Sequence, residues 1–135
     1  MHALGNVLSG LTGRPAAWLA VIGWAAFVFA LSTRSELRFM AQDNLDFVVR
    51  KLGHMLVFGV GALLLWHAFA RSGFRQPLAG AFITAIVYAA SDEVHQAFVP
   101  GRDPSFVDVG IDSTGAFVAL VSLYTLRVRR APKRA

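Results

Sequence analysis

Apolar residues run along this chain in four blocks, and the charged residues stand between the blocks rather than alternating within them. The first block lies between Arg14 and Arg34, with Ala16 to Leu31 almost wholly apolar. As a helix rising ~1.5 Å per residue, such a run is long enough to cross ~30 Å of hydrocarbon. It exceeds the h-region of a secretory signal and lacks a convincing small-residue cleavage site, so an uncleaved span is expected. The second block, Leu52 to Ala70, is free of Asp, Glu, Lys and Arg, with Asp43 or Asn44 as candidate N-caps upstream and a turn at Arg71-Ser-Gly-Phe-Arg75 downstream.

The third and fourth blocks are too short on their own. The third starts after Pro77 and meets Asp92, so a spanning helix must continue through Asp92, Glu93, His95 and Gln96 to Val99, where Pro100-Gly101 stops it. The fourth, Ser113 to Leu126, spans only if the helix begins near Pro104, with Asp103 as N-cap, and takes in Asp108 and Asp112. The pattern predicts an all-α integral membrane bundle of four transmembrane helices over about 15–32, 50–70, 78–99 and 104–126, in a single domain covering residues 1–135.

Composition narrows the class. With 56% hydrophobic and 16% charged residues and a mean hydropathy of +0.54, the 135-residue chain has too little polar surface for a water-soluble globule. The net charge of +5 does not indicate nucleic acid, because the basic residues form no stripe interleaved with aromatics. The absence of cysteine removes disulfides, cysteine zinc sites and thiolate chemistry.

Four spans put both chain ends and the loop at 71–77 on one membrane face, with eight Lys and Arg against five on the other. The positive-inside rule then places both termini in the cytoplasm of a bacterial inner-membrane, multi-pass protein, with the basic tail from Arg127 to Arg134 against anionic inner-leaflet lipid. Whichever face is outside, Lys51, His54, Asp92, Glu93, His95, Gln96, Arg102, Asp108 and Asp112 fall toward the same one. Asp92, His95 and Gln96 share a helix face continued by Tyr88, Ala85 and Ala81. Asp108, Asp112, Gly115, Ala119 and Ser122 form a second stripe of polar and small residues that lets helices approach closely.

Ionisable groups within a span cost on the order of 2.5–3.5 kcal/mol each at the bilayer centre and persist when paired or functional. The plain reading is a clasp in which Lys51, Arg102 and His54 neutralise Asp92, Asp108 and Asp112. The functional reading is a polar pocket at the outer leaflet. There His95, Asp92, Glu93 and His54 are candidate acid–base groups, and Lys51, Gln96, Arg102, Asp108 and Asp112 candidate contacts to a membrane lipid or lipid-linked envelope precursor. Asp92-Glu93-Val94-His95 lacks the His-Glu-x-x-His spacing of a helical zinc site, so no metal is assigned, and the sequence names no cofactor. His67, at the far end of its span, reads as interfacial.

The string Ser91-Asp-Glu-Val-His-Gln-Ala-Phe-Val-Pro-Gly-Arg102, with Asp108 and Gly115 after it and Arg50-Lys-Leu-Gly-His54 before it, resembles the VanZ-like family of bacterial membrane proteins. The resemblance covers most of the chain and implies a four-helix membrane protein. The family takes its name from a member associated with low-level resistance to the glycopeptide teicoplanin, so the resemblance implies a cell-envelope role. Two positions depart from the family pattern: Asp112 stands where Asn is common, and Phe58 where Tyr is frequent.

Overall fold

A computed structural model describes residues 13–34, 43–102 and 104–130. The described residues form four helices: α1 (Arg14–Ser32), α2 (Asp43–Arg71), α3 (Pro77–Gln96) and α4 (Phe106–Arg130). At 1.5 Å per residue they run about 28, 43, 30 and 37 Å. By length and composition α1, α2 from Leu45, and α4 are apolar enough to cross a membrane. The last turn of α3 carries Asp92, Glu93, His95 and Gln96, which lowers its hydropathy. Its exposed residues Ile83, Val87 and Val94 nevertheless give it the same apolar outer surface as its neighbours.

Small residues explain the packing. On α3 the side chains of Ala81, Ala85 and Ala89, spaced one turn apart, are buried, and the series continues into buried Asp92, Glu93 and Gln96. On α4 the buried residues are Asp112, Gly115, Ala116 and Leu120. The closest approach is between α2 and α4: a Cβ built on Gly115 would lie 2.2 Å from the Met55 carbonyl oxygen and 2.6 Å from its Cα. Gly59 of α2 answers it, its own Cβ position 3.2 Å from the Gly115 carbonyl oxygen and 3.4 Å from Ala119 Cβ. In hydrocarbon, where apolar burial gives no advantage over lipid, such backbone-to-backbone packing holds helices together. The expected stripe therefore faces α2 from Asp108 to Ala119, but Ser122 is exposed and does not belong to it.

Helix α1 packs on α2 and touches α3 at few points, and among the described residues it does not meet α4. Its contacts are aromatic and polar. Trp24 Nε1 donates to the Val57 carbonyl at 3.1 Å, and the Tyr88 hydroxyl donates to the Ala25 carbonyl at 2.7 Å. At the bundle end where α1 begins and α4 closes, Trp18 Nε1 donates to Ser72 Oγ at 3.0 Å, Arg14 Nε donates to the Arg71 carbonyl at 2.9 Å, and Arg127 lies 4.0 Å over the Trp66 ring.

The turns carry their own chemistry. Helix α2 ends in a Schellman motif, with Phe74 N–H donating to Phe69 C=O at 3.0 Å and Gly73 N–H to Ala70 C=O at 3.2 Å. Gly73 takes the required positive φ of 74°, and the Phe69 and Phe74 rings meet at 4.9 Å across the motif. Between α3 and α4, Arg102 N–H donates to Val99 C=O at 3.2 Å, closing a turn with Pro100 second and Gly101, at φ 79°, third. That is the residue pattern of a type II turn.

Boundaries differ from the pattern-based expectation in a consistent way. Helix α2 starts at Asp43, at the candidate N-caps and before the apolar run expected from about residue 50, and α4 runs on to Arg130, past 126, because backbone hydrogen bonding does not stop where hydropathy falls. Helix α3 ends at Gln96, not Val99, and α4 begins at Phe106, not Pro104. Ser105 caps α4 through Oγ, which accepts the Val107 N–H at 3.2 Å. The expected cap Asp103, and the side chains of Asp43 and Asn44, lie outside the described residues.

Candidate functional site

The polar residues gather at the bundle end formed by the close of α1, the first half of α2, the end of α3 and the start of α4. Between α2 and α4, one turn above the Gly115 contact, Lys51 pairs with Asp108, and His54 Nδ1 lies 3.2 Å from Asp112 Oδ1. The Asp112 side chain is fully buried. The i, i+3 step from Lys51 to His54 on α2 and the i, i+4 step from Asp108 to Asp112 on α4 place the two pairs side by side.

On α3, Gln96 Nε2 donates to Asp92 Oδ2 at 2.9 Å, an i, i+4 contact within the helix. The turn at Pro100-Gly101 folds Arg102 back over this pair, where Nη1 approaches Gln96 Oε1 at 3.5 Å and Nη2 donates to the Arg34 carbonyl at 2.8 Å. Arg102 thus ties the α3–α4 turn to the end of α1. Glu93, one residue round the helix from Asp92, accepts the Ser105 N–H at 2.8 Å and so fixes the start of α4. His95 is turned toward α1, its ring 4.2 Å from that of Phe29 at an interplanar angle of 31°.

A cavity of about 290 Å³ opens between α1, α2 and the end of α3. Its lining combines the apolar Val28, Leu31, Val49, Val57 and Phe58 with the polar Ser32, Arg50, His54, Asp92 and Arg102. Of the expected site residues, His54, Asp92 and Arg102 line this cavity. Asp112 stands behind His54 and Gln96 behind Asp92, while Lys51, Asp108, Glu93 and His95 belong to the surrounding helix contacts. His67 is exposed near the other end of α2. Among the described residues no group of three or more His, Cys, Asp or Glu is placed to hold a metal ion.

Three participants escaped the sequence reading. Ser32 looked like the boundary of an apolar run, but it is buried in the cavity wall. Arg50 lines the cavity and is held at 3.1 Å by Asp46, whose side chain is 2% exposed. The i, i+4 spacing of Asp46 and Arg50 was the available signal, and it lies between the candidate N-caps and the apolar run, outside the expected span. Phe29 sat among apolar residues with nothing to distinguish it.

The fold and site define a class: an α-helical membrane protein with a polar cluster gathered at one end of the bundle. Within that class a family model described as VanZ/LLP1 matches residues 12–127, and the chain belongs to this VanZ-like family. No curated protein and no solved structure matches it.

Proposed function

We propose that this protein is a four-span inner-membrane protein, with both termini cytoplasmic, that binds a lipid-linked or cell-envelope molecule in the cavity between α1, α2 and α3. The observation that carries this reading is the cavity's mixed lining, in which Val28, Leu31, Val49, Val57 and Phe58 stand among Ser32, Arg50, His54, Asp92 and Arg102. An amphiphile at a membrane interface presents the same combination of apolar and polar groups. A cavity of about 290 Å³ accepts a head group and the first part of a chain, not a whole lipid. His54, its Nδ1 held by buried Asp112, is oriented as a general acid or base is, and Asp92 stands in the same wall. At the opposite end the exposed Arg127, Arg129 and Arg130 in the last turn of α4 suit anionic lipid.

The test is mass spectrometry of envelope lipids and lipid-linked precursors in cells with the protein, without it, and with His54→Gln or Asp92→Asn at equal protein level. An altered lipid or precursor pool in both the null and the variants, with a change in teicoplanin sensitivity if the molecule is a wall precursor, is the expected result. Unchanged pools in the null would remove the reading. Orientation is tested separately: a membrane-impermeant thiol reagent should label Cys at position 103, not at 133, in spheroplasts. A second reading, a structural clasp without a ligand, is favoured by the direct pairs Lys51–Asp108 and His54–Asp112 across the α2–α4 contact. On that reading the same substitutions lower protein stability and leave the lipids unchanged.

A further inference from the structure

Two residues of the cavity wall carry donors for which the described residues offer no acceptor. Among the described residues, the buried side-chain atoms without a hydrogen-bond partner include Ser32 Oγ and Arg102 Nε, and both residues line this cavity. Guanidinium Nε–H can only donate, and a serine hydroxyl left without a partner in apolar surroundings is costly. At the end of an α-helix a serine hydroxyl can turn back to a carbonyl one turn earlier, as Thr33 does to Ala30 at 2.7 Å. Ser32 makes no such bond.

Charge gives the same direction. Arg50 has Asp46, His54 has Asp112, and Asp92 takes the Gln96 amide. Arg102 differs, since its two terminal nitrogens meet neutral oxygens, the Gln96 amide and the Arg34 carbonyl. Among the described residues no carboxylate lies within ion-pair distance of it. A cation held in place by two bonds to neutral groups, with its Nε–H buried and without a partner among the described residues, in the same cavity lining as the Ser32 hydroxyl, has the composition of an anion subsite.

We propose that Ser32 and Arg102 form a phosphate-binding subsite, and that the phosphate is carried by an amphiphile whose chain lies along Val28, Leu31 and Phe58. This deepens the reading of the cavity as an envelope-lipid site and rests on it. Phosphate suits the pair because it carries several acceptor oxygens on one centre, able to take the Nε–H and the hydroxyl, and the apolar residues of the cavity lining select an ester with a hydrocarbon tail over the free ion.

The experiment uses the full chain purified in neutral detergent, with binding read by native mass spectrometry and melting temperature read alongside. Three probes are compared: dioleoyl phosphatidic acid, dioleoylglycerol with the same chains and no phosphate, and inorganic phosphate. The phosphatidic acid is expected to bind at least tenfold more tightly than either of the others. Ser32→Ala should weaken it about tenfold while leaving the melting temperature of the unliganded protein unchanged or raised, because the hydroxyl meets no partner among the described residues of the free protein. A merely structural serine would not separate those two readouts. Arg102→Lys, which keeps the charge but loses the Nε–H, should also weaken binding about tenfold and serves where Arg102→Gln fails to fold.

Equal binding of dioleoylglycerol and phosphatidic acid, unaffected by either variant, would overturn the phosphate subsite and leave the lipid-binding reading standing. Failure of every amphiphile to bind would count against both. Inorganic phosphate binding as tightly as phosphatidic acid, with the same sensitivity to Ser32→Ala, would support the subsite and reject a lipid as its source.

Discussion

The two long sides of α2 meet their neighbours in opposite ways. Toward α4 the contact is closed: Gly59, Gly115 and Ala119 bring the backbones together, and the acids at the end of the contact are matched by Lys51 and His54. Toward α1 the contact is open. Trp24 holds the middle by a hydrogen bond to the Val57 carbonyl, Tyr88 of α3 bonds α1 at Ala25, and a cavity remains whose wall includes donors without a partner among the described residues. Both interfaces carry polar groups at the same end of the bundle, and among the described residues each leaves buried atoms without a partner, Asp112 Oδ2 at the first and Ser32 Oγ and Arg102 Nε at the second. They differ in space: polar groups paired across a tight contact hold helices together, whereas those around a cavity have room beside them, the basis of the ligand proposed above. The difference lies in side-chain size, since glycine closes one interface and tryptophan props the other apart.

The hardest way to break the comparison is to open the closed side. Gly115→Ala places a Cβ 2.2 Å from the Met55 carbonyl oxygen, and because the obstacle is backbone, no rotamer change relieves it. Overpacking a tight core costs typically 1–3 kcal/mol, and a clash with backbone belongs at or above the upper end, about 3 kcal/mol. A marked fall in detergent melting temperature and in folded yield is the expected outcome. Unchanged melting would mean that α2 and α4 do not meet at Gly115.

The second prediction concerns the pair above that glycine. His54→Ala or Asp112→Ala each leaves a polar partner unsatisfied in a half-buried to buried setting, at about 1–3 kcal/mol. The double variant should be less damaged than the sum of the two, by at least about 0.5 kcal/mol, because they share one bond. Additive losses in a thermal-melt cycle would show that the 3.2 Å contact carries no energy.

How much of this was written in the sequence depends on what kind of residue carried it. The helices and the polar end were legible, because uncharged runs of this length have few other uses and charges within a span demand company. Gly115 was legible from its place one turn beyond Asp112. The partners were not. Nothing in the order of residues says that Lys51 takes Asp108 while His54 takes Asp112, because both assignments fit the helical spacing and only the rotation of α2 against α4 selects one. His95 shares a face with Asp92 and Gln96 by spacing, yet it stacks on Phe29, since a helix face broad enough for three residues touches two neighbours at once. Ser32 and Arg50 were hidden for a different reason: hydropathy marks where lipid ends, and both lie where helix continues beyond that point.

The smallest expected effect lies on the open side, in the middle of α1. Gly23 is exposed, and a Cβ built there meets nothing within 4 Å, whereas the Cβ of Gly115 would meet backbone. Glycine in a helix interior costs roughly 0.5–1 kcal/mol relative to alanine, through the backbone freedom it loses on folding. Gly23→Ala should therefore leave melting unchanged or raise it by the equivalent of up to about 1 kcal/mol, less if lipid already holds the unfolded segment helical. The same chemical change, one methyl added to a transmembrane glycine, is thus expected to act with opposite sign on the two sides of the bundle. A loss of stability at Gly23 comparable to that at Gly115 would mean that α1 is covered by a tightly packed surface, such as a second copy of the chain. The outer face of α1 would then be a protein interface, and the contrast between the unpacked Gly23 and the tightly packed Gly115 would fail.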